Sequence, residues 1–393
     1  MWHHPALTPA GSLLSRHRSL SARADQAHTI VRRLQQLVPD LRIWLDVDYL
    51  DDVGKLEDAV ADAAVMLVFL SVGYFESLNC RRELYAALGS NRPFIPVREA
   101  DPAKGGASIA ALMAECRENC VEAAPPAYPC YRGPEEMLAR VFEKTPIVWV
   151  RVNAFQLESL KAIALRMLLH SPYYASRTAE LAAGVTVPGE VVPVALSGPV
   201  TLLHCRDNEG AFELSEEIKS AASARQGRGL AANADVVTIR EAEEALANAA
   251  PEGHVVFMLY LNDKTFLDAG GAVARLVQAA MDRRIAIAMV HEQEPARGGV
   301  PFRSLVQHTP QVLRQPPYTL FDTVAVPLYP SEEHRRVSLR LVLCGMGAVP
   351  CDAGLFRRRW QHLRRRIAVA RLVRAARRMG VAAPTRPPAN VPA

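Results

Sequence analysis

Residues 71–83, Ser-Val-Gly-Tyr-Phe-Glu-Ser-Leu-Asn-Cys-Arg-Arg-Glu, gather groups that can do chemistry: the hydroxyls of Ser71 and Ser77, the thiol of Cys80, the guanidiniums of Arg81 and Arg82, and the carboxylate of Glu83. They follow an apolar run, Val65 to Leu70, that reads as a buried strand; Ser71 and Gly73 break it before a helix resumes. At such a place a carboxylate can stabilise developing positive charge, and guanidiniums can neutralise an anion with help from exposed amides at a helix N-terminus. Plainer uses stand beside these. An acid in the first turn of a helix meets the macrodipole favourably, Ser71 and Ser77 can cap a turn and the helix, and Cys80 can be a small packing residue.

The elements that must position this stretch repeat within the chain. Residues 65–106 align with residues 256–299: each copy has an apolar strand, then Phe75 or Phe266, then a helix ending Ala86-Ala87-Leu88 or Ala279-Ala280-Met281. A second apolar strand follows, closing on Val97-x-Glu99 or Val290-x-Glu292, then Pro and Gly-Gly. The offset is 191 residues before the helix and 193 after it, so the second copy carries two extra residues. Flanking segments extend the pattern, with residues 200–220 reading as strand and helix, residues 12–37 as their weaker counterpart, and last strands at 146–152 and 321–328. Strands that are near-continuous apolar runs, alternating with helices, indicate an α/β fold with two doubly wound parallel sheets in tandem. The expected organisation is a first domain at 1–175, a Val-, Pro- and Gly-rich linker at 176–198, a second domain at 199–350, and a basic tail at 351–393. In such a sheet the ligand crevice opens beyond the carboxyl ends of the strands where their order reverses. Residues 71–83 fall at one of those ends, Arg16, His17 and Arg18 at another, and the acidic loop from Asp46 to Gly54 at a third.

The stretch from Arg42 to Leu88 resembles a Toll/interleukin-1 receptor (TIR) domain. The resemblance rests on the second strand with its acidic loop, a helix of the form Leu56-Glu57-x-Ala59-Val60, the apolar strand ending at Ser71, and Tyr74-Phe75-x-Ser77-x-x-Cys80-x-x-Glu83-Leu84. It implies a flavodoxin-like, five-stranded parallel sheet in each copy. Many TIR domains assemble with one another in signalling, and a subset cleaves the bond between nicotinamide and ribose in NAD. In that subset the glutamate of the Ser-x-x-Cys-x-x-Glu pattern is catalytic, which falls on Glu83. The resemblance also implies pocket contributions from the loop after the first strand, with Arg16 and Arg18, and from the loop after the second, with Asp46; Ser71, Ser77, Cys80 and Arg81 complete the candidate set. Breaking an N-glycosidic bond builds oxocarbenium character on the ribose, which a carboxylate can stabilise, while Arg16, Arg18, Arg81 and Arg82 can face a pyrophosphate. NAD is a substrate in this reading, and no cofactor is expected. A non-catalytic adaptor working through homotypic contacts is the alternative. In the second copy Leu276 stands in place of Glu83, and Val273 or a neighbour in place of Cys80, so that copy is expected to be non-catalytic.

Composition narrows the classes further. The net charge of +5 is uneven: residues 351–393 hold eleven arginines and one acid, Asp352, which leaves 35 basic and 40 acidic residues in the rest. A whole-protein role in nucleic-acid binding is therefore unsupported. Residues 355–379 carry an apolar stripe, Phe356, Trp360, Leu363 and Ile367, on a cationic helix suited to an anionic membrane, a partner protein or the acidic body itself. Seven scattered cysteines suit a reducing compartment, and the chain is expected to be cytoplasmic. No metal site is expected, because Cys116, Cys120 and Cys130 lack C-x-x-C spacing.

Overall fold

The computed structural model describes residues 12–15, 21–38, 41–45, 56–123, 125–179, 181, 185–223, 236–247, 253–268 and 271–351. The chain divides into two compact units, Met1–Val191 with Tyr329–Val337, and Val192–Leu328 with Ser338–Ala393. The basic helix expected at 355–379 lies outside the described residues, and among those residues no helix is long and apolar enough to cross a membrane.

In the first unit β1 (Ser12–Ser15), β2 (Ile43–Leu45), β3 (Val65–Leu70), β4 (Phe94–Glu99) and β5 (Ile147–Trp149) form one sheet in the order β2-β1-β3-β4-β5. Every pairing is parallel. The helices include α1 (Ser21–Leu37), α2 (Leu56–Asp62), α3 (Leu78–Gly89), α4 (Ile109–Asn119), α5 (Pro134–Val141) and α6 (Asn153–Leu169). The sequence of β3 explains its place at the centre. All six of its residues are buried: Met66, Val68 and Leu70 enter the cluster under α3 to α5, and Val65, Leu67 and Phe69 the one under α1 and α6. Successive side chains alternate faces, so a six-residue apolar run fills two cores, each large aliphatic side chain adding roughly 1.5–3 kcal/mol. Pro96 sits within β4, opposite Val68 and one residue before pairing with β5 begins, so its missing N–H falls where the strand has a single partner.

The second unit is built on β7 (Val200–His204), β8 (Val237–Glu241), β9 (His254–Leu261), β10 (Ala286–Glu292) and β11 (Val326–Leu328), ordered β11-β10-β9-β7-β8 and again parallel throughout. Read from the other edge, this is the strand order of the first sheet. Around it stand α7 (Ala211–Ser223), α8 (Ala242–Ala247), α9 (Ala272–Asp282), α10 (Phe302–His308), α11 (Gln311–Arg314) and, from Ser338 on, α12 (Glu332–Gly345), whose first residues count with the first unit. In β9, Val256, Met258 and Tyr260 face one core while Phe257, Leu259 and Leu261 face the other.

Local turns coincide as well. Asn91 after α3 and Arg284 after α9 both have positive φ, 52° and 58°. After β4, a single 3-10 turn at Pro102–Lys104 ends on Gly105 at φ 86°, and its carbonyl accepts the Val72 amide at 2.9 Å. After β10, the turn Pro295–Arg297 ends on Gly298 at φ 82°, and its carbonyl accepts the Asp263 amide at 2.8 Å. The next glycine in each, Gly106 and Gly299, is pressed against backbone so closely that a Cβ would stand 2.8 and 2.7 Å from it. Ser159 of α6 donates to the Val148 carbonyl at 2.7 Å and Ser338 of α12 to that of Pro327 at 2.7 Å.

Some described residues of the segment expected to be a linker pack and pair. Leu181 and Val187 are buried with the first unit, and Glu190 pairs with Lys161 of α6 at 2.9 Å. Beyond the division, β6 (Val194–Ala195) pairs antiparallel with β12 (Val349–Pro350), and the Cys351 amide donates to the Pro193 carbonyl at 2.9 Å. Two-residue strands more than 150 positions apart leave no periodic trace in a sequence.

Candidate functional site

The carboxyl ends of β3 and β4 are held by a few polar contacts. Ser71, the first residue after β3, is buried, and its carbonyl accepts the Tyr74 amide at 3.0 Å, which turns the chain. Gly73 follows at φ 76°, a left-handed conformation that glycine adopts without a Cβ penalty. From α4 the Glu115 carboxylate reaches this turn, Oε2 accepting the Gly73 amide at 2.9 Å and Oε1 the Phe75 amide at 2.7 Å. From α3 the Arg81 Nη1 donates to the carbonyls of Phe75 at 2.9 Å and Glu76 at 2.8 Å. The loop thus has a carboxylate on its amides and a guanidinium on its carbonyls.

Ser77 occupies the N-cap position of α3 in extended conformation but makes no side-chain capping bond. Helix α3 begins at Leu78 and has no acid in its first turn. The sequence reading that set Glu83 in the first turn is corrected here: the carboxylate lies one turn deeper, beyond the part of the helix where the macrodipole acts strongly. Glu83 is 1 % exposed, and Cys80 beside it is wholly buried with Leu84 in the core cluster. Arg82 turns away to Glu57 of α2, at 2.7 Å. Arg81 and Arg82, both set against an anionic ligand by the sequence, are therefore engaged in holding the loop and in joining α3 to α2. Arg16, Arg18 and Asp46 lie outside the described residues.

At the end of β4, Glu99 is fully buried; Oε2 pairs with Arg151 at 2.8 Å and Oε1 accepts the Asp101 amide at 3.0 Å. Its counterpart in the second unit, Glu292, accepts the Tyr260 hydroxyl at 2.6 Å and the amides of Gln293 and Glu294 at 2.9 and 2.7 Å. Under α3 the Cys116 thiol, hydrogen-bonded to Cys120 and buried, is held far above the ordinary thiol range. Burial raises the neighbouring Tyr85 and Tyr131 hydroxyls too, with Cys120 adding to both. These groups stay protonated, which suits packing rather than nucleophilic chemistry. Among the described residues no group of three or more His, Cys, Asp or Glu is placed to hold a metal ion.

This arrangement, a parallel sheet whose third strand runs through a glycine turn into a helix bearing Cys80 and Glu83, coincides with a known family pattern. Residues 19–117 match the TIR domain family. No curated protein matched the chain. The TIR match covers about a quarter of the sequence, includes Ser71, Ser77, Cys80, Arg81, Glu83 and Glu115, and stops inside α4, before β5 and the second unit.

Glu115 and Arg151 were missed in the sequence, and Glu99 was read there only as the close of β4. Glu115 had one available signal: it falls on the helical stripe with Leu112 and Cys116, both buried, where a charged side chain needs a partner. Arg151 had none, because its pairing depends on β4 and β5 lying side by side in the first unit's sheet.

Proposed function

We propose that the first unit is a TIR-type NAD glycohydrolase with Glu83 as its catalytic carboxylate. The observation that carries this reading is a comparison of one position in two similar helices. In α9, Val273 and Val277 are buried as Cys80 and Leu84 are in α3, and the place of Glu83 is held by Leu276, packed on apolar neighbours. A leucine satisfies the fold there, so the buried acid of α3 answers to something other than packing, and its second-turn position takes it away from a capping role. Burying a carboxylate is costly, and sites that need a charge are where such costs persist.

In this reading the C1′–N bond of NAD breaks, its electron pair leaves with nicotinamide, and the Glu83 carboxylate stabilises the oxocarbenium-like ribose. Water adds at C1′ and loses a proton, giving ADP-ribose. With Arg81 and Arg82 engaged in the loop and on Glu57, Arg16 and Arg18 remain the arginines assigned to the pyrophosphate. Asp46, with Ser71 and Ser77, is assigned to the walls, and Cys80 to the core behind them. The second unit is read as a TIR-like copy that lost the acid and serves assembly, in line with the homotypic contacts of TIR domains generally. The test is nicotinamide release from NAD by concentrated full-length protein, with Glu83→Ala as control; release in the wild type alone is expected.

An adaptor without chemistry is the second reading. It draws on Leu276 and on the Gly73 and Phe75 amides being engaged by Glu115. Absence of turnover in the assembled wild-type protein would decide for it.

A further inference from the structure

We infer that Glu115 is the positioning residue of the Glu83 site. The inference rests on the glycohydrolase reading and adds a residue to it. The loop between β3 and α3 sets where the first turns of α3, and so Glu83, stand relative to the strand ends. Besides the Arg81 bonds from α3, that loop is held by Glu115 Oε2 to the Gly73 amide at 2.9 Å, Glu115 Oε1 to the Phe75 amide at 2.7 Å, and the Val72 amide to the Gly105 carbonyl at 2.9 Å. A carboxylate accepting two amides makes two charge-assisted bonds, each stronger than a neutral pair.

The second unit holds the corresponding loop differently. The Asn262 amide donates to Thr265 Oγ1 at 2.9 Å, the Lys264 amide to Asn262 Oδ1 at 3.0 Å, and Thr265 Oγ1 to the Tyr260 carbonyl at 2.8 Å. That loop is closed in part by its own side chains and is also tied to the segment after β7, Asn262 Nδ2 donating to the Glu209 carbonyl at 2.9 Å and Lys264 pairing with the Glu209 carboxylate at 2.6 Å. At the 193-residue offset the place of Glu115 is taken by His308, the exposed last residue of α10. The loop next to Glu83 thus has two of its backbone amides held by the carboxylate of a separate helix, whereas the tie from the loop next to Leu276 to Glu209 runs through the side chains of Asn262 and Lys264. A reacting carboxylate must be held to a fraction of an ångström, and Glu115 supplies that constraint from the neighbouring helix without touching substrate.

The experiment compares full-length wild type, Glu83→Ala, Glu115→Gln and Glu115→Asp by initial-rate nicotinamide release from NAD and by hydrogen exchange of the peptide covering residues 71–77. Glutamine keeps one acceptor but turns an NH2 toward the second amide; aspartate keeps the charge on a shorter arm. Expected are a fall in kcat of about 10- to 100-fold in Glu115→Gln with KM near the wild-type value, partial recovery in Glu115→Asp, and faster exchange at 71–77 while β3 and α6 keep their protection. Turnover that is lost in Glu83→Ala yet unchanged in Glu115→Gln overturns the inference alone, as does unchanged exchange at 71–77. A wild type that releases no nicotinamide overturns the glycohydrolase reading, and the inference with it.

Discussion

Glu99 and Arg151 meet at 2.8 Å, with the Glu99 side chain wholly withdrawn from solvent and that of Arg151 21 % exposed. The pair joins the end of β4 to the segment after β5, across 52 positions of sequence. Removing one member of a buried pair leaves the other desolvated and uncompensated. Arg151→Met is expected to lower unfolding free energy by about 2–4 kcal/mol, whereas Glu99→Gln combined with Arg151→Met is expected to regain more than half of that. Denaturant unfolding of both variants measures it; equal losses would show that the pairing is not what holds this edge.

Glu83→Leu copies into α3 the residue that α9 carries. If the acid is retained for chemistry at a cost to the fold, the leucine variant is expected to be more stable by about 1 kcal/mol and to release no nicotinamide. Thermal unfolding alongside the activity assay reads both. A variant several degrees less stable would assign Glu83 a structural role instead.

His291 in β10 is expected to make stability depend on acid. Burial lowers its pKa, against smaller opposing effects of the Val300 carbonyl and Glu292. Its Nε2 lies 2.8 Å from the Val300 carbonyl and its Nδ1 2.8 Å from Gln293 Nε2, a geometry that fits the neutral ring with its proton on Nε2. The folded ring resists protonation more than the unfolded one. The stabilisation is therefore complete above the ordinary histidine value, about 6.5, and is lost as pH falls through that value toward the lower folded one. In His291→Gln the loss of melting temperature between neutral and mildly acid pH is expected to shrink. It should not vanish, because burial pushes His170 and His334 the same way.

What the sequence disclosed and what it withheld divide along the range of the interactions. β3 and β9 were legible because apolar runs bounded by turn residues have few alternatives, and the turn ending at Gly105 was visible in its Pro and paired glycines. The start of α3 was misplaced by a turn because Glu83 was read against the arginines beside it rather than counted from Ser77. β5 and β11 are three residues long, shorter than the apolar stretches around them, since pairing with β4 and β10 rather than local composition ends them. Glu115 and Arg151 stayed hidden for the same reason. Their partners lie 40 or more positions away, and such distances are fixed by sheet order, which no local spacing encodes.

The clasp of Val194–Ala195 with Val349–Pro350 brings the beginning of the second unit's described chain against its end. In terms of descent, a segment whose two ends lie side by side is one that a chain can acquire whole, since adjacent ends let a domain be inserted or rejoined with little strain on what flanks it. Selection on a segment of this kind can act on it by itself, and a position such as Leu276 can change without the frame around it being redrawn.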